Sequence, residues 1–190
     1  MIRAFVGIPL PAAYQERLEE LRRVWEKRFA SGMSWTRKGN WHLTLKFLGA
    51  TAPEALGGIE ASLEKIRFER FGLQAGGGGF FPPEGRGGVL RPRVLWVGLV
   101  RGALESAVLA RAVERAVAPL GFAPERRAFA SHLTLARVKR AEADPWLEFL
   151  KELQALSWPA CVVDRFTLWQ SDLGASGPRY RPLFEVAAQC

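Results

Sequence analysis

The chain holds two histidines, and each heads the same tetrapeptide: His42-Leu43-Thr44-Leu45 recurs as His132-Leu133-Thr134-Leu135, 90 residues on. In an extended strand, residues two apart face one side, roughly 6–7 Å apart along the chain. Each imidazole therefore shares a face with a threonine hydroxyl, and the leucines turn to the opposite face, where they can anchor a core. If the two strands meet about a pseudo-two-fold axis, two imidazoles and two hydroxyls converge on one cleft. Histidine titrates near neutrality, so one copy can take a proton from an attacking oxygen while the other protonates a leaving oxygen. The hydroxyls can donate to the non-bridging oxygens of a phosphate, where negative charge is held. That set suits cleavage of a phosphate ester. No cluster of Cys or carboxylates accompanies the histidines, so neither a metal nor a cofactor is expected. A lone His-x-Thr in a strand is commonly structural. A duplication kept only for packing would more naturally retain the leucines than both polar positions.

The elements around these strands repeat as well. Val6-Gly7 recurs as Val97-Gly98, 91 residues later. In the first half, Arg3 to Ile8 reads as a buried strand, and Pro11 to Phe29 as a helix with Leu18, Leu21, Val24 and Trp25 on one face. Trp41 to Leu48 is a strand, Pro53 to Ile66 a helix, and Phe71 to Gln74 an extended segment. The second half repeats that order: a strand over 94–100, then a helix over 103–120 with Leu104, Val108, Ala112 and Val113 on one face. A strand over 131–138, a helix over 145–156 and a strand over 161–169 follow, and Leu183 to Ala188 forms the last strand. Ala75 to Pro92 is rich in Gly and Pro and reads as a loop at the seam. No Gly-Lys-Ser/Thr follows it, so it is no phosphate-binding loop. The expected architecture is an α+β fold: a bilobal pseudo-two-fold duplication, with two antiparallel sheets flanking a central cleft and helices outside. The 190 residues make a single domain of two lobes, about 1–80 and 93–190, with the C-terminal strand a candidate for exchange between them.

Lys plus Arg is 27 against 19 Asp plus Glu, a formal net charge of +8 that suits a polyanionic partner; GC-rich codon use explains the Arg excess equally well. No apolar run is long enough to span a membrane. Cys161 and Cys190 make no disulfide framework, and a monomer in a reducing cytoplasm is expected.

At these residues the chain resembles the two-histidine phosphoesterases, specifically the bacterial and archaeal 2′-5′ RNA ligase / RNA 2′,3′-cyclic phosphodiesterase (LigT-like) branch. The resemblance runs through Arg3-Ala4-Phe5-Val6-Gly7-Ile8, Trp41 to Gly49, Arg93 to Gly98, His132 to Arg137, and then Ser171, Leu173 and Gly177-Pro178-Arg179-Tyr180. It implies hydrolysis of RNA 2′,3′-cyclic phosphate ends, or nucleoside 2′,3′-cyclic phosphates, to 2′-phosphates. It also implies His42 as general acid toward the 3′ leaving oxygen, His132 as the base that activates water, and Thr44 and Thr134 as phosphate contacts. Relatives usually carry Pro before the second His; here Ser131 stands there, which bears on local rigidity rather than chemistry.

Three further residues are substrate-binding candidates: Lys46, Arg137 and Tyr180. Strict alternation puts Lys46, four residues past His42, on the cleft face. It puts Arg137, five past His132, on the other face, and a bulge would be needed to bring it in. Tyr180 is a candidate for base stacking, as are Trp35, Trp41, Phe80 and Phe81. Arg126, Arg127, Lys139 and Arg140 are candidates for a basic rim. Two other readings stand beside the hydrolase: an ATP-independent 2′-5′ RNA ligase, and a non-catalytic RNA-binding module, against which the paired histidines argue.

Overall fold

The computed structural model describes residues 1–82, 91–174 and 177–189. Residues 83–90 of the expected linker and Cys190 lie outside the described residues. The first half comprises β1 (Ile2–Pro9), α1 (Ala12–Trp25), a short β2 (Gly32–Trp35), β3 (His42–Thr51), α2 (Leu56–Leu63) and β4 (Phe71–Phe81). The second comprises β5 (Val94–Arg101), α3 (Ala103–Val117), β6 (Leu133–Arg140), α4 (Trp146–Ala155), β7 (Cys161–Val163), β8 (Arg165–Gly174) and β9 (Gly177–Ala187). Sheet order is β7-β4-β5-β6-β3-β1-β8-β9, with β2 also paired to β6. Each half sends its later strands to the other: β4 pairs with β5, and β8 pairs with β1. The two antiparallel lobes join at a single pair, Leu43 with Leu133, both fully buried.

Apolar alternation fixes the layers. Ala4, Val6 and Ile8 of β1 enter the core with Leu43, Leu95, Leu133 and Leu135, and helices close over them. Trp25 of α1 packs edge-on against Phe149 of α4 at 4.9 Å, and Phe29 stacks on Trp146 at 4.7 Å. The Tyr14 hydroxyl accepts the Ala75 N–H at 2.9 Å and donates to the Pro159 carbonyl at 2.7 Å, pinning α1 across β4.

Several sequence expectations change. The glycine run is not a loop: β4 continues through Gly76–Gly79 to Phe81. The glycines are there because large side chains cross the strand. A Cβ on Gly79 would lie 2.4 Å from Trp96 Cζ2, and one on Gly78 2.5 Å from Leu153 Cδ1 and 2.8 Å from the Trp96 carbonyl. The face of α3 is also different. Ser106, Leu109, Ala110, Val113 and Val117 are buried, whereas Leu104 and Val108 are exposed. That helix carries apolar residues on two stripes, and periodicity alone does not choose between them. On α1, Val24 is likewise exposed. The segment 161–169 breaks at Asp164 into β7 and β8, and β9 begins at Gly177, well before Leu183. The Val-Gly pairs are not equivalents either. Val6 pairs with Lys46 whereas Val97 pairs with Leu133, so the matching pairs are Val6/Leu95, Gly7/Trp96 and Ile8/Val97, 89 residues apart.

Gly78→Val is expected to lower unfolding stability by about 1–3 kcal/mol, since the Trp96 backbone must move. Gly57→Ala, exposed in α2 with open space around it, is expected to raise it by up to ~1 kcal/mol. Urea melts of the two variants check both signs.

Candidate active site

Two β-bulges at equivalent places decide which side chains reach the cleft. Between β1 and β3 the register steps from Val6↔Lys46 to Gly7↔Thr44, leaving Leu45 as the extra residue. Between β5 and β6 it steps from Leu95↔Ala136 to Trp96↔Thr134, leaving Leu135. Consecutive residues after each bulge are buried, Leu45 with Lys46 and Leu135 with Ala136, so the next residue swings to the cleft side. Arg137 thereby joins the face of Thr134 and is exposed. The same device overturns the expectation for Lys46. Its side chain is 3% exposed on the core side, bonded to Glu114 Oε1 at 2.9 Å, the Ala123 carbonyl at 2.7 Å and Glu125 Oε1 at 3.4 Å. Phe47, 56% exposed, takes the cleft position instead.

The Leu43–Leu133 pair sets the histidines. One residue outward on that antiparallel register, His42 stands opposite Thr134 and Thr44 opposite His132, all on the face away from the leucines. Both rings are tied alike. His42 Nδ1 bonds the Asn40 carbonyl at 2.8 Å, and His132 Nδ1 bonds the Ala130 carbonyl at 2.7 Å. A carbonyl only accepts, so Nδ1 carries the proton in each ring, and the neutral ring presents a bare Nε2. At His42 the Thr44 hydroxyl donates to that nitrogen at 2.9 Å. Asn40 is held in turn by its amide, which donates to the Pro178 carbonyl at 2.7 Å. Ser131 donates to the Ala103 carbonyl at 3.3 Å and ties the entry of β6 to the start of α3.

Burial depresses both imidazoles. His42 is pushed down to about 4, mainly by desolvation; the Asn40 carbonyl opposes this, and the charges of His132 and Arg137 add to it. His132 is lowered by burial, against the Ala130 carbonyl and with Arg137. Both rings are thus weaker bases than free histidine and are neutral near neutral pH.

Aromatic rings line each side. Phe5, Trp169 and Tyr180 lie 4.6, 5.6 and 5.2 Å from the His42 ring, and Phe81 and Trp96 lie 5.2 and 6.5 Å from His132. Gly7 is demanded by the close approach of β3, since a Cβ there would sit 2.6 Å from the Leu43 carbonyl; it would also crowd Trp169 at 3.2 Å and His42 at 3.3 Å. The Tyr180 phenol is raised by burial, against the pull of Arg137 and Arg3. Of the other stacking candidates, Phe81 reaches a histidine, while Trp35, Trp41 and Phe80 are core. Phe5, Trp96 and Trp169 were not singled out in the sequence; the strand register that brings them in is a long-range property. Lys139 and Arg140 sit at the far end of β6, seven and eight residues from His132, and Arg140 pairs with Glu142 at 2.9 Å. Arg126 and Arg127 are exposed in the loop before His132. No three His, Cys, Asp or Glu side chains gather as a metal site among the described residues. No helix among them is long and apolar enough to cross a membrane.

A duplicated antiparallel fold that places a His-x-Thr from each half beside one two-fold axis defines a two-histidine phosphoesterase. The family model described as LigT like Phosphoesterase matches residues 8–91 and 101–180, one segment in each half. An Aeropyrum pernix protein named RNA 2′,3′-cyclic phosphodiesterase is 40% identical over 151 residues, covering 78% of this chain and 82% of that protein. One of the same name from Archaeoglobus fulgidus is 32% identical over 182 residues, covering 96% and 98%. Among solved structures, Escherichia coli LigT complexed with 3′-AMP matches with a TM-score of 0.77 at 27% identity, covering 100% of this chain and 99% of that one. The chain belongs to the LigT-like phosphoesterase family.

Lys46→Met is expected to cost about 1–3 kcal/mol of stability by leaving the Ala123 carbonyl without its donor and the part-buried Glu114 without its cation. Although burial raises the Glu114 carboxyl, the Glu125 N–H and Lys46 hold it below the ordinary glutamate range. That contribution is present above the unfolded value and lost as pH falls through the folded one. Thermal melts should therefore show the wild-type advantage at neutral pH and its shrinkage in acid.

Proposed function

We propose that the protein hydrolyses RNA 2′,3′-cyclic phosphate ends to 2′-phosphates, with His42 and His132 as the acid–base pair. The observation that carries this is the Leu43–Leu133 register, which sets each histidine opposite the other strand's threonine. A cyclic phosphodiester held between the two strands meets both hydroxyls and both Nε2 atoms. Thr44 and Thr134 donate to its non-bridging oxygens. The anion favours a charged imidazole, so one ring takes up a proton as the ester binds. By the family resemblance that ring is His42, and Thr44, released from His42 Nε2, turns its hydrogen to the phosphate. His132 Nε2 takes a proton from water, the water oxygen bonds to phosphorus, and the bond to the 3′-oxygen breaks. His42 delivers its proton to that oxygen, leaving a 2′-phosphate. Arg137 and Tyr180, beside His42, contact the bound nucleotide.

The names carried by the relatives favour hydrolysis over ligation. Product analysis with a 2′,3′-cyclic-ended oligonucleotide, with and without a 5′-hydroxyl acceptor, separates the two.

His42→Ala and His132→Ala are each expected to lower hydrolysis by roughly 10²–10⁴-fold while the protein remains folded; near wild-type rates in either variant contradict the pair. EDTA is expected to leave the rate unchanged. The profile of kcat/KM against pH reports the free protein, whose two imidazoles both hold protons less tightly than free histidine. The bell should therefore peak on the acid side of the ordinary histidine value, about 6.5. A peak well above that value contradicts the electrostatics described here.

A further inference from the structure

Beyond the catalytic strands, the cleft face of the first lobe is organised in rows. Phe47, Phe5 and Trp169 pair across β3, β1 and β8, and their rings follow: 6.3 Å from Phe5 to Phe47 and 5.2 Å from Phe5 to Trp169. Two residues further along β1 and β8, on the same face, stand Arg3 and Ser171. The Ala4↔Gln170 pair sets them side by side, and Ser171 pairs with Tyr180 of β9. A guanidinium, a hydroxyl and a phenol thus form the next row out. The Tyr180 ring leans back over Phe5 at 4.8 Å.

This row is electropositive. The phenol feels the charge of Arg3 and that of Arg137, which acts on both histidines as well. Neither Arg3 nor Arg137 has a carboxylate partner among the described residues. The nearby acid, Asp172, is on the opposite face of the β8–β9 ribbon, where it accepts from the Gln170 amide at 2.6 Å. Arg181 also bonds Gln170 there, at 2.7 Å. A donor-only guanidinium beside a hydroxyl and a phenol, with no carboxylate bonded to it, is suited to an anion.

The row lies four residues from Gly7 along β1, roughly 13 Å of strand, and long side chains shorten the gap. The aromatic row fills the interval. Phe5 is itself buried beneath its neighbours, so a nucleoside here rests on the exposed Phe47 and the half-buried Trp169 and Tyr180; with its cyclic phosphate at the histidines, it directs its 5′ side toward Arg3. We infer that Arg3, Ser171 and Tyr180 form a second phosphate subsite that holds the phosphate on the 5′ side of the terminal nucleotide. This rests on the functional reading above and narrows it. The preferred substrates are RNA chain ends and 5′-phosphorylated nucleotides, and a nucleoside 2′,3′-cyclic phosphate with a free 5′-hydroxyl is a poorer substrate.

The test compares adenosine 2′,3′-cyclic phosphate with its 5′-phosphorylated form, for the wild type and Arg3→Gln, with melting temperatures measured alongside. The wild type should favour the 5′-phosphorylated form by about tenfold or more in kcat/KM, as expected for a charge-assisted contact. Arg3→Gln should bring that ratio down toward one, through KM rather than kcat, and reduce the salt dependence by about one phosphate contact. Arg3→Lys should restore part of the ratio, since it keeps the charge but not the fork. A wild-type ratio near one overturns the subsite, as does a ratio that Arg3→Gln leaves standing. If the wild type hydrolyses neither compound, the phosphodiesterase reading itself fails and the subsite with it. Hydrolysis of both compounds at equal rates removes the subsite alone.

Discussion

One backbone pairing governs the rest of the molecule. The lobes meet in the sheet at Leu43 and Leu133, and both side chains are fully buried. A β-strand flips its side chains every residue, so a slip of one position at this junction would send both histidines into the core and both leucines into the cleft. The register is held by what surrounds it. Leucines on the inner face enter the core, and each strand is flanked by a partner whose own inner face is apolar. The exchange of β4 and β8 between halves adds to this, because neither lobe can complete its sheet without the other.

The bulges at Leu45 and Leu135 turn a symmetric scaffold into an asymmetric site. Each moves the fifth residue past its histidine onto the cleft face and the fourth into the interior. In one copy those residues are Phe47 and Lys46, in the other Arg137 and Ala136. A nearly two-fold pair of imidazoles thus receives a cation on one side and a ring on the other. The charged lysine that this geometry forces inward is met by Glu114 and Glu125, which also anchor the loop leading to His132. Desolvation does the remaining tuning: it lowers both imidazoles, so neither ring is charged near neutral pH.

Much of this was legible in the sequence. The repeated tetrapeptide, the segment order and the duplicated α+β plan could be read from spacing, because strand alternation and helical periodicity are local rules. The failures share one cause. Strict alternation puts Lys46 in the cleft, but the bulge that turns it inward depends on the partner strand. The glycines of β4 look like a loop until Trp96 and Leu153 are seen lying over them. The aromatic wall around His42 comes from β1, β8 and β9, which sequence separates by more than 150 residues and a register brings together. Trp35, Trp41 and Phe80 were ambiguous because an aromatic residue serves a core or a base equally well.

The central claim is that both imidazoles act on one phosphorus atom. With two histidines in the chain, imidazole nitrogen NMR gives two sets of signals, and binding of adenosine 2′-monophosphate can be followed at each ring. The account predicts that both Nε2 resonances move together at one binding constant, with one ring becoming protonated near neutral pH. Movement of a single ring, or of the two at different binding constants, would contradict it.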